Sequence, residues 1–282
     1  MVLITHIGKY KYMKITFKDL ENFVTCAQSR TLSEASEKLD MAQPSLSLGI
    51  KKLETELGYP LFLRSKEGLK LTPQGKNLLP EAKETLLKLE KIKGKRSIVK
   101  FRIGCHPSVG MFVLGKFLKL MHKNNPEVDF EIINGPSHEV NKMVARGEVD
   151  FGVVMNPISL QGLIIKSIGE DDVYVWESKN RYQDKLIYNP NMLQALSIIS
   201  RWKAAPKQTI DVENLELCSH LIHSGAGYGI LPSQVVKSQR LDLKRVSNTP
   251  GFKDQLTLVC YPEMIKSPNG RIIFECLKQS FR

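Results

Sequence analysis

The spacing of apolar residues changes once along this chain, and that change divides it into two parts. From residue 17 to residue 93 the apolar residues recur at the spacings of three and four that indicate helices. From residue 99 onward, short apolar strands alternate with amphipathic helices, and residues 94–97 mark the joint. A chain of 282 residues is also longer than a single core usually allows. We therefore predict a helical N-terminal domain followed by an α/β domain with a mostly parallel sheet.

The α/β part is predicted to form two lobes. It opens with a strand–helix–strand–helix–strand unit whose strands fall at 99–105, 128–133 and 149–155. A late strand at 255–261 is expected to rejoin that first sheet, which requires two strands that cross between the lobes. The predicted boundaries are 98–156 with about 255–282 for lobe I, and about 157–254 for lobe II.

Positive charge is concentrated near the N-terminus. The formal net charge is +12, which indicates a polyanionic partner. Residues 1–97 contain 18 lysines and arginines against 11 acidic residues, whereas residues 98–282 contain 23 against 18 over nearly twice the length. No apolar run approaches the roughly 20 residues that cross a bilayer, and the N-terminus lacks the features of a signal peptide. We therefore expect a cytoplasmic protein that binds a polyanion and has no membrane partner.

The cysteine content argues against a metal site or a disulfide framework. The five cysteines are scattered, odd in number and without a Cys-x-x-Cys pair, so buried reduced thiols are expected. The chain also lacks a recognisable Ser/His/Asp or Cys/His arrangement, a glycine-rich phosphate loop and the spacing of metal ligands. We therefore predict a protein that is not an enzyme and that needs no cofactor.

Two short helices joined by a tight turn are predicted between residues 31 and 57. Thr31 and Glu34 have the spacing of a capping box, which places the start of the first helix at Leu32. Pro44 suits the first turn of the second helix, because a missing N–H costs nothing there. The buried side of that second helix is predicted to consist of Leu46, Ile50, Leu53 and Leu57.

The outward face of the second helix has small polar side chains at its N-terminal end and basic side chains after them. A helix-turn-helix with such a face fits the major groove of DNA, where the N-terminal residues of the second helix meet base edges. A solvated amphipathic helix explains this stretch equally well when it is taken alone. The outward residues are Gln43, Ser45, Ser47, Lys51 and Lys52.

Two apolar segments that follow this helix predict a β-wing. They lie at 60–65 and 68–73, on either side of a short polar turn. The hairpin would place Arg64, Lys66 and Lys70 where they contact phosphates.

Residues 17–79 resemble the winged helix-turn-helix domain of the LysR-type transcriptional regulators. The resemblance rests on Gln-Pro-Ser-Leu-Ser at 43–47, Leu-Glu-x-Glu-Leu-Gly at 53–58, Leu-Phe-x-Arg at 61–64 and Leu-Thr-x-x-Gly at 71–75. It implies a DNA-binding domain over residues 1–72. It also implies groove contacts by Gln43, Pro44, Ser45, Ser47 and Lys51, and contacts with the DNA backbone by Ser33 and Arg64.

One position departs from the family pattern. Regulators of this family usually have a polar or basic residue where this chain has Leu48, which is followed by Gly49. Leu48 is able to contact a thymine methyl group but not to make the bidentate hydrogen bonds that read guanine. A glycine in the middle of a helix also costs about 0.5 to 1 kcal/mol relative to alanine.

Residues 73–97 are predicted to form a linker helix and hinge. An apolar stripe follows the helix start at residues 72 and 73, at spacings of three and four. The family resemblance implies that such linkers pair antiparallel, which would make a homodimer and then a homotetramer. The alternative is that this helix lies on its own domain. The proposed dimerisation residues are Leu78, Ala82, Leu86, Leu89 and Ile92.

Residues 98–282 resemble the effector domain of the same family, which has the two-lobed fold of periplasmic binding proteins. Ligands of such open sheets lie beyond the carboxyl ends of strands, near helix N-termini that favour anions. The matching loops are 105–108, 134–137 and 155–156, whereas residues 177–206 fit poorly and indicate a shortened second lobe. The candidate effector contacts are His106, Ser108, Ser137, Asn156 and Asn214. Alternatively, Ser108 and Ser137 only cap helices and His106 is structural.

The sequence thus predicts a transcriptional regulator whose binding to an operator is modulated by a small anionic metabolite in the C-terminal cleft. Its expected partners are double-stranded DNA with dyad symmetry, further copies of itself and, as a further candidate, RNA polymerase. One alternative keeps the DNA-binding role and makes Cys105 or Cys218 a redox-sensing thiol. The other alternative is an enzyme built on the two-lobed domain.

Overall fold

The N-terminal part of the chain folds as a winged helix-turn-helix. The computed structural model describes residues 14–65, 68–93, 100–124, 127–157 and 162–281, so the predicted joint at 94–97 lies outside the described residues. The wing is an antiparallel pair of strands in which Phe62 lies opposite Leu71. The elements are α1 (Phe17–Ala27), α2 (Leu32–Lys38), α3 (Gln43–Leu57), β1 (Phe62–Ser65) and β2 (Gly68–Leu71).

The predicted helix starts are confirmed, with one change in the capping contacts. The Thr31 hydroxyl accepts a hydrogen bond from the Glu34 N–H at 3.1 Å, so α2 begins at Leu32. Glu34 does not return the bond to Thr31, because its carboxylate accepts from the Arg30 N–H at 2.8 Å instead. Pro44 lies in the first turn of α3.

A long helix, α4 (Pro73–Lys93), connects the two parts of the chain and runs through Pro80. Its start is fixed by Thr72, whose hydroxyl accepts from the Gly75 N–H at 3.0 Å and donates to the Pro60 carbonyl at 2.8 Å. This side chain therefore ties the beginning of α4 to the base of the wing.

Lobe I is a parallel sheet with a helix on each face. Its elements are β3 (Lys100–Cys105), α5 (Pro107–Asn124), β4 (Asp129–Asn134), α6 (Ser137–Arg146) and β5 (Phe151–Met155). Strand β3 pairs in parallel with both β4 and β5. Val113 and Phe117 of α5 lie in the apolar cluster on one face, and Val140 and Val144 of α6 lie in the cluster on the other.

Lobe II continues the same sheet. The remaining strands and α-helices are β6 (Ile164–Ser178), β7 (Lys185–Tyr188), α7 (Leu193–Arg201), β8 (Gln208–Asp211), α8 (Leu215–His223), β9 (Tyr228–Pro232), α9 (Ser233–Gln239), β10 (Leu243–Arg245), β11 (Phe252–Cys260) and α10 (Pro268–Ser280). Among the described residues the strand order is β4-β3-β5-β11-β6-β9-β7-β8, and β10 pairs with β6.

The two crossover strands are β6 and β11, which pair antiparallel. The first half of β6 lies opposite Leu256–Cys260, and the same residues of β11 pair with β5 of lobe I. From Val173 onward, β6 pairs with β9 of lobe II. The first crossing therefore lies within β6, and the predicted division of the chain into lobes stays a prediction.

The poorly matched segment 177–206 contains a helix that the sequence analysis did not predict. In α7, Ala195 and Ile198 are fully buried and pack in one cluster with Val173 and Leu186. Helix α7 therefore covers this face of the lobe II sheet, although segment 177–206 is short.

Candidate functional site

The outward face of α3 has the exposure that the sequence predicts. Leu46, Ile50 and Leu53 are buried, at 0%, 4% and 1% exposure, and Leu57 is half-buried. On the opposite side Ser47 is half-buried, and the other predicted contacts are exposed: Gln43, Pro44, Ser45, Lys51 and Lys52.

Ser33 and Gln43 are brought together across the turn between α2 and α3. The Ser33 hydroxyl donates to Gln43 Oε1 at 3.2 Å, and this hydrogen bond is exposed. Ser33 is therefore placed to orient the first side chain of α3. The sequence analysis assigned Ser33 only to the DNA backbone.

Leu48 extends from the middle of the outward face, and 69% of its surface is exposed. The adjacent Gly49 lies where α1 approaches α3, since a Cβ there would be 3.4 Å from Asn22 Nδ2. The outward face is therefore apolar at Leu48, and the absence of a side chain at Gly49 allows α1 to lie close to α3.

The wing is held against the helix-turn-helix through its backbone. The Leu69 N–H donates to the Arg30 carbonyl at 2.9 Å. Gly68 has a φ of +112° and a Cβ there would be 2.5 Å from that carbonyl oxygen, so the position requires glycine. Arg64 lies on β1 opposite Leu69, Lys70 is half-buried on β2, and Lys66 lies outside the described residues.

His106 and Ser108 form a pair at the carboxyl end of β3. His106 Nδ1 lies 2.6 Å from the Ser108 hydroxyl, and Ser108 is only 5% exposed. Burial lowers the pKa of His106, although the Glu216 carboxylate of lobe II acts to raise it. Ser108 is therefore already bonded inside the chain, and His106 faces an acidic residue of lobe II.

Ser137 and Asn156 hold the chain at the edge of lobe I. The Ser137 hydroxyl accepts from the Met155 N–H at 3.1 Å, so it does not cap α6. Asn156 has a φ of 45°, donates to Asp254 Oδ1 at 2.5 Å and accepts from the Gln255 N–H at 3.0 Å. These hydrogen bonds of Ser137 and Asn156 fix the crossover, and the effector contacts expected of the two residues stay predictions.

Asn214 is an N-cap. Its side chain accepts from the Leu217 N–H at 2.6 Å at the start of α8. Asn214 thus positions α8, which carries Glu216, and the effector contact predicted for Asn214 stays a prediction.

Two buried carboxylates at the crossover were missed by the sequence analysis. Asp171 on β6 and Asp254 on β11 lie directly opposite each other and are 5% and 2% exposed. Burial raises the pKa of Asp171 to about 6 and also raises the pKa of Asp254. Neither forms an ion pair within the described parts of the chain; Asp171 accepts from the Gln234 N–H, and Asp254 from Gln194 Nε2 at 2.8 Å.

The free energy of unfolding of the wild type is expected to fall as the pH rises, because of Asp171. Replacing Asp171 with asparagine is expected to remove that fall. The folded pKa of Asp171, about 6, lies above its ordinary value of 3.8, so the protonated form favours folding. This contribution is complete below about pH 4 and is lost as the pH rises through 6, with a size on the order of 3 kcal/mol. Urea unfolding of the wild type and of Asp171→Asn at pH 4 and pH 7 measures it.

The matched control for that substitution is Asp242→Asn. Asp242 is exposed, and its pKa is lowered by a hydrogen bond from Lys179, so its removal should not stabilise the chain. Equal pH dependence in the wild type and in Asp171→Asn would show that Asp171 does not titrate in this way.

The cysteines do not have the environment of a redox sensor. All five are buried. Burial raises the pKa of Cys105 to about 11 and that of Cys218 to about 12, whereas a reactive thiol needs an accessible, stabilised thiolate. The structure therefore removes the support for a thiol switch at these two residues.

The apolar stripe predicted on α4 differs in exposure along its length. Ala82 and Leu86 are buried within the chain itself, at 1% and 8% exposure, because α4 lies against α1 and α10. Leu78 and Leu89 are half-buried, and Ile92 is 83% exposed. Ala82 and Leu86 therefore pack within the same chain, as in the alternative considered for this helix, and the pairing of two α4 helices through the stripe stays a prediction.

The described residues show neither a metal centre nor a membrane span. They contain no cluster of three or more acidic, histidine or cysteine side chains arranged to hold a metal ion. No helix among them combines the length and apolarity needed to span a membrane.

Comparison with known proteins gives a consistent result. Residues 17–76 match the family model of the bacterial regulatory helix-turn-helix protein, lysR family, and residues 99–282 match that of the LysR substrate binding domain. The uncharacterised HTH-type transcriptional regulator YkuM of Bacillus subtilis is 25% identical over 79% of this chain and 82% of its own length. The regulator CysL of the same organism is 22% identical over 93% of this chain and 97% of its own length.

A solved structure shows the same fold over nearly the full length. A full-length OxyR variant from Pseudomonas aeruginosa is 23% identical, covers 95% of this chain and 97% of its own, and has a TM-score of 0.59. Because the two family models match the DNA-binding and the effector domain, the chain belongs to the LysR family of DNA-binding transcriptional regulators.

Proposed function

We propose that this regulator binds a dyad-symmetric DNA site through the α3 helices of two copies of the chain. The observation that carries the proposal is α3, whose apolar side is buried while its opposite side exposes short polar and basic side chains. Such a helix fits the major groove, and two copies related by a dyad would contact half-sites separated by whole helical turns.

Each proposed contact has a role that follows from its chemistry. Base edges would be contacted at the N-terminal end of α3, a thymine methyl group by Leu48, and phosphates by lysines and the wing. The proposed base contacts are Gln43, Pro44, Ser45 and Ser47; the proposed phosphate contacts are Lys51, Lys52, Arg64, Lys66, Lys70 and Ser33.

The assembly that the proposal requires is a homodimer, with a homotetramer as its larger form. It would act in the cytoplasm, where the chromosome of a bacterium lies. RNA polymerase is the further partner, because a regulator bound at a promoter acts on the access or recruitment of that enzyme.

The second part of the proposal concerns the effector. The sequence indicated an anion because Ser108 and Ser137 precede helices, but their hydroxyls bond to His106 and to the Met155 N–H. Glu216 presents a buried Oε1 that accepts no hydrogen bond from the described residues. An acceptor of this kind is satisfied by a donor or a positive charge. The proposed effector is therefore a small, amine-bearing metabolite between the lobes, rather than a simple anion.

Replacing Glu216 with glutamine is expected to weaken the binding of an amine-bearing effector about tenfold or more, because a hydrogen bond to a charged group is lost. Calorimetry with arginine, agmatine and putrescine, and with succinate and citrate for comparison, measures it. Glu275→Gln is the control, since Glu275 pairs with Lys278 on the surface of lobe I. Binding of the acids alone, or amine binding that Glu216→Gln leaves unchanged, would refute this assignment.

A further inference from the structure

The two lobes are joined by a short stretch in which β6 and β11 pair only with each other. The C-terminal part of β11 also pairs with β5 of lobe I, and β6 pairs with β9 of lobe II from Val173 onward. Between these regions, residues 171–172 lie opposite residues 253–254 and have no further strand partner among the described residues. These four residues form the bridge between the lobes. Asp171 and Asp254, which lie directly opposite each other in the bridge, are its aspartate pair.

The aspartate pair makes contacts with both lobes. Asp254 Oδ1 accepts hydrogen bonds from Asn156 Nδ2 at 2.5 Å and from Gln194 Nε2 at 2.8 Å. Asn156 follows β5 of lobe I, whereas Gln194 lies on α7 of lobe II. The Asp171 carboxylate accepts from the Gln234 N–H at the start of α9, which also belongs to lobe II. A change in the charge of either carboxylate therefore acts on contacts that hold the lobes in place.

The charged groups around the aspartate pair do not neutralise it. Burial, the largest cause, raises the pKa of Asp171 to about 6; the partner aspartate acts to raise it further, and Lys237 of α9 acts to lower it. No ion pair within the described parts of the chain joins Lys237 to Asp171. On the exposed side of the two strands, Lys253 pairs with Glu170 at 3.3 Å, and the half-buried Asp172 adds another negative charge. The groups from α7 and β5 are neutral amides, so the pair has no bound cation to balance two negative charges.

The geometry of the aspartate pair makes its charge depend on one proton. Directly opposite residues of an antiparallel pair have Cβ atoms about 4.5 to 5.5 Å apart, and like charges there are destabilising. Two buried carboxylates at such a distance do not both ionise at their ordinary pKa, so the pair retains one proton to a higher pH. That proton allows one carboxyl group to donate to the other. Its loss to water leaves two negative charges that repel each other across the bridge.

We propose that the aspartate pair is a proton-dependent joint between the two lobes. With one proton on the pair, Asp171 and Asp254 hold the lobes in the described orientation; with both carboxylates ionised, their repulsion moves the lobes apart. Because the two states differ by one proton, an effector that binds the closer arrangement of the lobes also binds more tightly at low pH. The joint itself requires neither DNA nor an effector, so it goes beyond the proposed function and is tested separately from it.

The test is the distance between two spin labels, one on each lobe, in the full chain at pH 5 and pH 8. Lys142→Cys on α6 of lobe I and Ser200→Cys on α7 of lobe II provide the labelling sites, because both positions are exposed while the five native cysteines are buried. Labelled chains are mixed with an excess of unlabelled chains, so that only distances within one chain are recorded. The mean distance should be longer at pH 8 than at pH 5, with a midpoint near pH 6.

Three substitutions in the labelled chain assign that change to the aspartate pair. Asp171→Asn and Asp254→Asn each leave a single carboxylate in the bridge, so the distance should stay short and should not depend on pH. Glu170→Gln removes a negative charge one residue away, on the exposed side of β6, and should keep the pH dependence of the parent chain. Circular dichroism at both pH values checks that each variant is folded.

The proposal is overturned if the labelled parent chain gives the same distance at pH 5 and pH 8. It is also overturned if either asparagine variant keeps the change, or if Glu170→Gln loses it. Because the measurement uses neither DNA nor an effector, none of these results depends on whether α3 reads DNA or on which metabolite the cleft binds.

Discussion

Replacing Gly75 with alanine is expected to lower the free energy of unfolding by about 1 to 3 kcal/mol, the usual range for overpacking a fixed site. Gly75 lies in the first turn of α4, and a Cβ there would be 2.3 Å from the Leu61 carbonyl oxygen and 2.9 Å from Leu71 Cδ2. The carbonyl belongs to the backbone and accepts from the Thr72 N–H at 2.9 Å, so it has little freedom to move. Urea unfolding followed by circular dichroism measures the change.

The matched control is Gly115→Ala. Gly115 lies inside α5, and a Cβ there would meet no atom within 4 Å. Alanine should therefore stabilise that helix by up to about 1 kcal/mol. If Gly75→Ala and Gly115→Ala change stability equally, α4 does not pack against the base of the wing as described.

Ser47 and Lys51 are expected to affect DNA binding in different ways. Ser47→Ala should change the preference among operator sequences by about 1 to 3 kcal/mol, because a contact with a base edge is lost. Lys51→Ala should weaken binding to all DNA alike and reduce the slope of log affinity against log salt by about 1. Titration of an operator fragment and a scrambled fragment at several salt concentrations separates the two effects.

Lys142→Ala serves as the control in that titration, because Lys142 is exposed on lobe I and pairs with Glu139. It should leave both DNA affinities unchanged. If Ser47→Ala and Lys51→Ala weaken the operator and the scrambled fragment equally, the assignment of one residue to bases and the other to phosphates is wrong.

Periodicity predicted the elements but not what covers them. The stripe of Leu46, Ile50 and Leu53 is buried as expected, since a single face of α3 is apolar. The stripe on α4 is equally clear in sequence, yet Ala82 and Leu86 are covered by the same chain. Apolar spacing shows that a face must be buried, but it does not distinguish an intrachain contact from a partner.

The sequence predicted the positions of the cleft residues but not their hydrogen-bond partners. Ser108, Ser137 and Asn214 do lie where strands or loops lead into helices. Their hydrogen-bond partners come from residues that only the fold brings close, such as Met155 for Ser137. Asp171 and Asp254 are 83 residues apart and meet only because β6 pairs with β11, so no local signal could identify that pair.

Segment 193–201 shows a different limit. It contains five apolar residues in nine, and its agreement with the family pattern is weak, so neither the spacing nor the resemblance identified α7. The packing of Ala195 and Ile198 on β6 and β7 decides that it is a helix. Here tertiary contact outweighs the local pattern.

A nuclease footprint of the full chain on the DNA upstream of its own gene tests most directly whether α3 reads DNA. We expect two protected half-sites on one side of the duplex, with centres separated by whole turns of about 10.5 base pairs. The combined substitution Gln43→Ala with Ser47→Ala should abolish this protection and leave the fold intact, because both side chains point away from the core. Uniform protection along the fragment, or a footprint unchanged by the double substitution, would contradict the assignment of α3 as the helix that reads DNA.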